Sequence, residues 1–274
     1  MKKLRPCRGC KSTAVKPAFR AEGTVYFSCS HCGLVYANKL PDDPQYEEYH
    51  RFDEYNTMRP YLMNIFRKIV QKAEHYKPSG KVLDIGTAQG FLMEAFKERR
   101  YECEGIEPSA RAVELAQKRG LQVKKAFFGE YMPKKKYDIV ILNHVFEHLP
   151  DPPWFLQKFR ECLLEGGVLM IQVPNFGSWE AQYAREKWRY LVPKEHFLQL
   201  SPRSLRFLLE QEGYHILEMG TTGPLYDCSD PLSEIWRCIT QDQKKLIFYL
   251  LEILPSTISQ LFGRGSGLYV IARK

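Results

Sequence analysis

The sequence predicts an α/β protein: a doubly wound, mostly parallel sheet of seven strands, preceded by a small cysteine-rich ribbon. Three observations predict this fold. Short apolar runs alternate with amphipathic segments between residues 80 and 220, and the first of these runs breaks at a glycine-containing turn. Two Cys-x-x-Cys pairs also lie within the first 40 residues. The first two observations indicate strand–helix repeats, and the third indicates a metal-binding ribbon.

The turn after the first predicted strand indicates a ligand site. The apolar run from 82 to 85 is typical of a buried parallel strand, and it ends at Gly86. An amphipathic helix begins at Gly90, so the glycines let a ligand approach the backbone and the helix start offers free N–H groups. A second strand ends at Glu107, whose carboxylate can accept both hydroxyls of a ribose. These elements together predict a nucleoside-containing cofactor.

The spacing of the turn residues distinguishes between cofactors. A dinucleotide site favours G-x-G-x-x-G, whereas this chain has Asp84-x-Gly86-x-Ala88-x-Gly90. A carboxylate beside the loop favours a cationic ligand and repels a pyrophosphate. The pattern resembles motif I of the class I S-adenosylmethionine (SAM) methyltransferases, whose cofactor carries positive sulfonium and amino groups. Many members have a third glycine where this chain has Ala88, which is small enough for SAM to bind.

The resemblance continues in the family's order over roughly residues 80 to 220, through the segments 107–109, 137–144, 147–152 and 165–175. It implies the seven-stranded, Rossmann-like sheet of that family, in which the last strand inserts antiparallel between strands five and six. It also implies SAM as the cofactor. The residues that it places around SAM are Asp84, Gly86, Thr87, Ala88, Gly90, Glu107, Pro108, Phe128, Asn143 and His144.

The chain divides into three predicted parts. Residues 1–40 form the ribbon, residues 41–78 form a linker and N-terminal lid helices, and residues 79–274 form the SAM-binding domain, in which an insertion at 221–263 walls a substrate pocket. Lid helices cover the cofactor in similar methyltransferases, so Tyr55 and Arg59 either contact SAM or only pack. The strands are predicted at 82–86, 102–107, 121–126, 137–143, 167–173, 215–219 and 265–272.

The four N-terminal cysteines predict a structural zinc site. Cys7-x-x-Cys10 and Cys29-x-x-Cys32 are separated by a segment with strand character. Each pair lets two thiolates reach one ion from a tight turn, and two such pairs complete a tetrahedral Zn²⁺ site. A redox dithiol would instead need one such pair beside a strand–helix unit. Four cysteine ligands leave no open coordination position, so this metal is structural.

His148 and Glu147 after strand four and His196 after strand five are the predicted catalytic groups. The segment His144-x-x-Glu147-His148 resembles the E-x-x-E-H segment of ubiquinone-pathway O-methyltransferases, in which the acids and the histidine lie beside the acceptor. This chain has His144 in place of the first Glu, which argues against a Mg²⁺ role. His196 follows strand five, across the pocket from His148, so the pair is placed to deprotonate a hydroxyl. The alternative for His148 is a hydrogen bond to a loop carbonyl.

Other motifs have simpler interpretations. Asp151-Pro-Pro-Trp154 resembles the D-P-P-W signature of adenine amino-methyltransferases, but it follows the end of strand four by several residues, and Asp151 is predicted to cap the next helix. The H-x-x-E-H pattern matches an inverted zinc-protease motif only when it lies on a helix, whereas here it leaves a strand. Trp179 and Trp188 either stack on a ring or sugar or simply pack.

These patterns predict a SAM-dependent methyltransferase acting on a small hydroxylated acceptor (a sugar, glycan precursor or phenol-like metabolite), most simply by O-methylation. The alternatives are an rRNA guanine methyltransferase, since one such family joins a four-ligand zinc ribbon to this fold, and a non-catalytic SAM-binding scaffold. The net charge of +8 is scattered without an arginine or aromatic stripe, which disfavours a nucleic-acid partner. No signal peptide or membrane-spanning apolar run is evident, so we expect a cytoplasmic protein.

Overall fold

The computed structural model describes residues 6–39, 52–131, 133–223 and 254–274. The predicted linker around 41–44 and most of the insertion, residues 224–253, lie outside the described residues. No helix in these ranges is both long and apolar enough to cross a bilayer.

The elements alternate as predicted. The strands are β1 (Val15–Ala21), β2 (Thr24–Cys29), β3 (Val35–Ala37), β4 (Lys81–Ile85), β5 (Glu102–Glu107), β6 (Gln122–Lys125), β7 (Tyr137–Asn143), β8 (Leu163–Pro174), β9 (Leu198–Gln199), β10 (His215–Thr222) and β11 (Gly267–Arg273). The helices are α1 (Phe52–Thr57), α2 (Arg59–Tyr76), α3 (Phe91–Glu98), α4 (Ala110–Lys118), α5 (Pro152–Cys162), α6 (Trp179–Ala184), α7 (Pro202–Gln211) and α8 (Leu254–Leu261), with 3₁₀ turns at Phe146–His148 and Arg185–Lys187.

The main sheet has seven strands in the order β10-β11-β8-β7-β4-β5-β6. Neighbouring strands are parallel except that β11 runs antiparallel to both β8 and β10. The predicted α/β fold is therefore confirmed, including the last strand between the fifth and sixth. The carboxyl ends of β4, β5 and β7 meet at one edge, where ligands bind in open sheets of this kind.

Two strands are longer than predicted because their neighbours extend the pairing. β8 begins at Leu163 rather than 167, since Leu163 pairs with Tyr137 across a register shift. β10 continues to Thr222, which pairs with Gly267 of β11. Polar caps fix the helix starts: Asp151 accepts a hydrogen bond from the Trp154 N–H, as predicted for that motif.

The ribbon joins the main domain through a shared sheet. Its four strands have the order β1-β2-β3-β9, and β9 comes from the segment after β8 in the methyltransferase-like part of the chain. Leu34 of the ribbon is fully buried in the same apolar cluster as Leu205 and Leu208 of α7. Burying one such side chain contributes about 1.5–3 kcal/mol, so the ribbon and the main domain stabilise each other. Residue 40 is a boundary in the sequence, but residues before it pack against β9 and α7, which come long after it.

Candidate active site

The turn from β4 to α3 is held by close packing as well as by hydrogen bonds. The Gly86 N–H donates to the Ile106 carbonyl at 2.8 Å, and Gly86 and Gly90 have φ of 73° and 84°. A Cβ on Gly86 would lie 2.4 Å from Val145 Cγ2, and one on Gly90 would lie 2.2 Å from Leu121 Cδ1. Both glycines are therefore required by conformation and packing, and Gly90 also caps α3.

Glu107 is locked by backbone donors on both sides of its carboxylate. Its Oε2 accepts the Ala88 N–H at 2.8 Å, and its Oε1 accepts the Ser109 N–H at 2.9 Å. The side chain is only 2% exposed. Each carboxylate oxygen can accept a second hydrogen bond, so Glu107 can hold two hydroxyl groups while it also fixes the turn that carries Ala88.

Asp84 is a buried acid beside the same turn. The Thr87 hydroxyl donates to Asp84 Oδ2 at 2.6 Å. Burial raises the pKa of Asp84 to about 7, against the opposing effect of the Thr87 hydrogen bond and with a smaller contribution from the Glu107 charge. A cation bound next to this carboxyl would favour its ionised form and lower that pKa.

SAM binding should therefore release protons near pH 7. If the positive groups of SAM lie near Asp84, the fraction of this carboxyl that is protonated beforehand must ionise on binding. Calorimetry in two buffers of different ionisation enthalpy measures the released protons. Asp84→Asn should abolish the release, and S-adenosylhomocysteine (SAH), which lacks the sulfonium charge, should release fewer. Equal proton release by wild type and Asp84→Asn would contradict this placement.

Two adjoining cavities lie over this edge of the sheet. One, of about 310 Å³, is lined by Asp84, Gly86, Thr87, Ala88, Asn143, His144, His148 and His196, among others. The second, of about 440 Å³, is lined by Glu107, Pro108, Phe127 and Phe128, among others. They share Gly86, His144 and His148, so one continuous cleft brings together most of the residues that the sequence assigned to SAM.

His148 and His196 form an edge-to-face pair in the cleft, with His148 where the two cavities join. Their ring centroids lie 4.9 Å apart at an interplanar angle of 81°. His148 Nδ1 lies 2.9 Å from the Glu195 carbonyl oxygen, and His196 Nδ1 lies 2.7 Å from the Tyr190 carbonyl oxygen. A carbonyl only accepts, so each Nδ1 carries the proton and each neutral ring has its lone pair on Nε2. The loop-carbonyl contact considered for His148 is thus present, and it orients the ring within the cleft.

Glu147 lies close to this pair and has an unusual environment. It is 1% exposed, and neither carboxylate oxygen has a hydrogen-bond partner in the described part of the chain. Its closest polar neighbour is His144 Nδ1 at 3.4 Å, too long for a well-formed hydrogen bond. Burial raises the pKa of Glu147, but the surrounding histidines, His144 first, outweigh it and lower the value to about 2. Glu147 is therefore a buried carboxylate whose charged form depends on the neighbouring histidines rather than on hydrogen bonds of normal length.

The cluster has the composition of a metal site. One ligand atom each from Glu147, His148 and His196 lies within 4.8 Å of the others. Two imidazoles and a carboxylate suit Zn²⁺, Fe²⁺ or Mn²⁺ better than Mg²⁺, which prefers oxygen ligands. The two carbonyl contacts to Nδ1 are the kind of outer partners that orient histidine ligands. A divalent ion held by these residues would occupy the Nε2 atoms of both histidines, so a metal site here is an alternative to an acid–base role for the pair.

The two lid residues considered for SAM contact, Tyr55 and Arg59, have different environments. Tyr55 lines the smaller cavity. Arg59 instead pairs with Glu94 at 2.8 Å, and its guanidinium lies over the Phe91 ring. Of the tryptophans, Trp188 is 2% exposed and packs against Phe176, whereas Trp179 is 43% exposed.

Sequence reasoning missed several lining residues of the smaller cavity. These are Leu62, Phe66, Gln89, Tyr190 and Val192. Tyr190 lies six residues before His196, and this closeness to a predicted catalytic histidine was the available signal.

The four ribbon cysteines converge. Cys7 Sγ and Cys32 Sγ lie 3.6 Å apart, as do Cys10 Sγ and Cys29 Sγ, and all four sulfurs lie within 4.8 Å of one another. Tetrahedral ligands at the Zn–S bond length are about 3.8 Å apart, so the group fits one zinc ion. His31 is not part of the cluster, since its ring packs edge-on against Phe207.

The protein should carry one zinc per chain in this ribbon. Elemental analysis should find the cysteine-bound zinc in wild type and in Cys103→Ser, whose thiol lies outside the cluster, and lose it in Cys29→Ser. Replacing the zinc by cobalt distinguishes metal bound at the cysteines from metal bound at the Glu147 cluster. Only thiolate ligands give intense sulfur-to-cobalt charge-transfer bands in the absorption spectrum. Their persistence in Cys29→Ser would contradict the assignment. Removing the metal should unfold the ribbon while SAM binding stays largely intact.

Comparison with known proteins decides the family. Residues 53–219, more than half of the chain, match a methyltransferase domain family. The protein is a member of this methyltransferase family. It is therefore an enzyme, and the family match and structural neighbours together support SAM as its methyl donor. A search of curated protein sequences found no significant match.

Solved methyltransferases share the fold at low sequence identity. A SAM-dependent methyltransferase from Archaeoglobus fulgidus has a TM-score of 0.58 and 20% identity, over 82% of this chain and 100% of its own. A possible histamine N-methyltransferase from Thermotoga maritima has a TM-score of 0.56 and 20% identity, over 84% and 97%. A phosphoethanolamine N-methyltransferase 2 from Haemonchus contortus, solved with SAM, has a TM-score of 0.57 and 14% identity, over 85% and 60%.

Proposed function

We propose that this methyltransferase transfers a methyl group from SAM to a small hydroxylated acceptor (a sugar, glycan precursor or phenol-like metabolite), most simply by O-methylation. The observation that carries the proposal is the His148–His196 pair. Both rings line the cleft beside the cofactor turn, and both have Nδ1 fixed on a carbonyl so that Nε2 is the basic nitrogen. A hydroxyl needs such a group to lose its proton during transfer.

SAM is proposed to lie along the two adjoining cavities. The backbone between Gly86 and Ala88 takes the methionine end, where the Asp84 carboxyl faces its positive charge. Glu107 accepts the two ribose hydroxyls, and Phe127 or Phe128 lies against the adenine. The order of these groups along the cleft supports this orientation, because Glu107 lines the larger cavity with the phenylalanines and Asp84 lines the smaller one with His196, while His144 and His148 line both.

A third cavity, of about 270 Å³, joins the smaller cofactor cavity, and the proposed acceptor site spans both, because His148 and His196 line the smaller cavity and not the third. The third cavity shares Asn143, His144 and Tyr190 with the smaller cofactor cavity, and its wall includes apolar side chains such as Ile65 and Met170. Where the two cavities meet, Asn143 Oδ1 and His144 Nε2 are buried without a hydrogen-bond partner among the described residues. With His144 Nδ1 towards Glu147, both atoms are acceptors, so they favour a ligand that presents O–H or N–H groups against an apolar body.

The transfer is a single in-line displacement. The acceptor oxygen forms a bond to the methyl carbon as the carbon–sulfur bond breaks, the sulfonium becomes the neutral thioether of SAH, and the acceptor proton passes to a histidine Nε2. Burial lowers the pKa of His196 to about 4, so His196 stays neutral and is suited to orient the hydroxyl. His148, whose ring neighbours the buried Glu147 carboxylate, is the proposed proton acceptor, because that carboxylate stabilises the imidazolium that forms.

Transfer to nitrogen is the second candidate. The Asn143 amide oxygen lies at the end of β7 without a hydrogen-bond partner among the described residues, and it could orient an amine by accepting its N–H. Three of the fold neighbours are named as N-methyltransferases, one of them only as a possible one. An amine that binds in its unprotonated form needs less help from a base, so the histidine variants distinguish the two reactions.

The acceptor class is tested by labelled methyl transfer to fractionated cell extract. Radiolabelled SAM is incubated with wild type and with a His148→Ala control on separate fractions of RNA, lipids, nucleotide sugars, phenols and amines. We expect the label in a small hydroxylated compound, in a methyl ether that mild base does not cleave. Label confined to rRNA, bound with a steep salt dependence, would support the guanine methyltransferase alternative and overturn the small-molecule proposal. No transfer to any fraction, with normal SAM binding, would contradict all of these acceptor classes.

A further inference from the structure

The ribbon contacts the main domain next to a proposed catalytic side chain. Strand β3 pairs antiparallel with β9, with Val35 opposite Gln199 and Tyr36 opposite Leu198. The Ala37 N–H also donates to the Phe197 carbonyl at 2.9 Å. Residue 197 directly follows His196, so the backbone bonds from the ribbon begin one residue after the histidine.

The side chains reinforce this junction. Phe197 is 1% exposed, and the Arg8 guanidinium lies over its ring at 4.6 Å. Arg8 lies inside the first cysteine pair, between Cys7 and Cys10. The residues that precede His196 hold it as well. The His196 N–H donates to the Val192 carbonyl at 2.8 Å, and its Nδ1 contacts the Tyr190 carbonyl. The ring orientation thus depends on both a local turn and the ribbon.

The path from the cysteines to β3 is short. The Cys29 N–H donates to the Leu34 carbonyl at 2.9 Å, which closes the turn that carries Cys32. Leu34 is fully buried, and Val35, the next residue, begins the strand that pairs with β9. A unit of about 40 residues has too little core to hold this turn without a metal or an external support. Metal binding at the cysteines and the contacts with β9 and α7 therefore hold this strand together, so we expect loss of the metal to loosen it.

We propose that the zinc ribbon is a positioning element for His196: the metal orders β3, and β3 fixes the backbone that places the His196 ring in the acceptor site. The ribbon then controls methyl transfer without holding the cofactor. The residues assigned to SAM lie at the ends of β4, β5 and β7, and none of these strands pairs with the ribbon sheet in the described part of the chain. The inference rests on the proposed role of His196 in transfer.

Two proline variants separate the junction from the ribbon's own fold. Ala37→Pro removes the N–H that crosses to Phe197. Asn38→Pro, the matched control, removes the neighbouring N–H, which donates to the Val25 carbonyl inside the ribbon. Nitrogen NMR of the labelled histidine rings reports the His196 tautomer, and calorimetry with SAH reports cofactor binding. We expect Ala37→Pro to keep its zinc and its SAH affinity but to lose the Nδ1–H signature of His196, while Asn38→Pro retains it.

Metal removal from the wild-type protein provides the second measurement, which does not depend on the folding of a variant. Chelation should abolish the His196 signature with SAH affinity unchanged, and added Zn²⁺ should restore it. A misplacement of about 1 Å can cost about 10²-fold in rate, so turnover should fall by that order in Ala37→Pro. An unchanged His196 signature in both Ala37→Pro and metal-free protein would overturn the inference. A lost signature with full activity would instead overturn the proposed role of His196 and leave the positioning intact.

Discussion

Replacing His148 by alanine should lower the rate of methyl transfer by about 10²–10⁴-fold, the usual cost of losing a general base. The His148 ring is oriented by the Glu195 carbonyl and neighbours the buried Glu147, whose carboxylate can stabilise the protonated ring. SAM affinity should stay unchanged, because the residues proposed to hold SAM are Asp84, Glu107 and the turn between β4 and α3. Rapid-quench kinetics with labelled SAM measures the rate, and calorimetry measures the affinity.

The His196→Ala variant should also slow transfer, but only by about 10²-fold, the lower end of that range. Burial makes His196 a weak base that mainly orients the acceptor. His215→Ala is the matched control, since His215 is an exposed histidine at the start of β10. If both variants keep full activity on the acceptor that the extract assay finds, these histidines are structural. If they lose SAM binding as well as activity, the histidines contact the cofactor, and the proposed orientation of SAM in the cleft is wrong.

The sheet could be predicted from the sequence because its signals are local. The apolar run of β4, the breaks at Gly86 and Gly90, and the acid at the end of β5 lie within about 25 residues and repeat a known strand–helix unit. The start of β8 could not be predicted as well. Leu163 joins the strand only because it pairs with Tyr137 across a register shift, and such a contact between distant residues leaves no mark in local periodicity.

The ribbon's attachment was beyond sequence reasoning for the same reason. The cysteine spacing predicts the metal cluster, but the pairing of Val35 with Gln199 joins residues from opposite halves of the chain. A strand of two residues such as β9 is too short to show alternation. The prediction of a separate unit at 1–40 therefore describes the ribbon's composition, while its stability depends on contacts with β9 and α7.

Within the site, residue types were easier to predict than their environments. His148 and His196 could be placed across one pocket because both follow strands that end at the same edge of the sheet. The full burial of Glu147 could not be predicted, since it depends on the left-handed conformation of His144, with φ of 56°, directly after β7. The 3₁₀ turn that follows carries Glu147 and His148, and with His196 they form the cluster that fits a divalent ion.

Replacing Glu107 by alanine should lower the affinity for SAM at least tenfold. The carboxylate is proposed to accept two ribose hydroxyls, and a hydrogen bond to a charged group contributes about 1.5–3 kcal/mol, against about 1.4 kcal/mol for each tenfold in affinity. The loss should exceed that of the ribose bonds alone. Glu107 also accepts the Ala88 and Ser109 N–H groups, so its removal leaves two buried donors unpaired and loosens the turn that carries the methionine end.

Glu104→Gln is the matched control, because Glu104 lies on the same strand but pairs with Lys135 and Tyr137 away from the cleft. Titration calorimetry with SAM and with adenosine separates the two contributions of Glu107. Loss of the ribose bonds weakens both ligands, whereas loosening of the turn weakens SAM alone, since adenosine has no methionine end. Equal SAM affinity of wild type and Glu107→Ala would exclude the ribose from this strand end. The cofactor would then have to lie elsewhere in the cleft, and the placement of Asp84 and the histidines relative to the methyl group would fail with it.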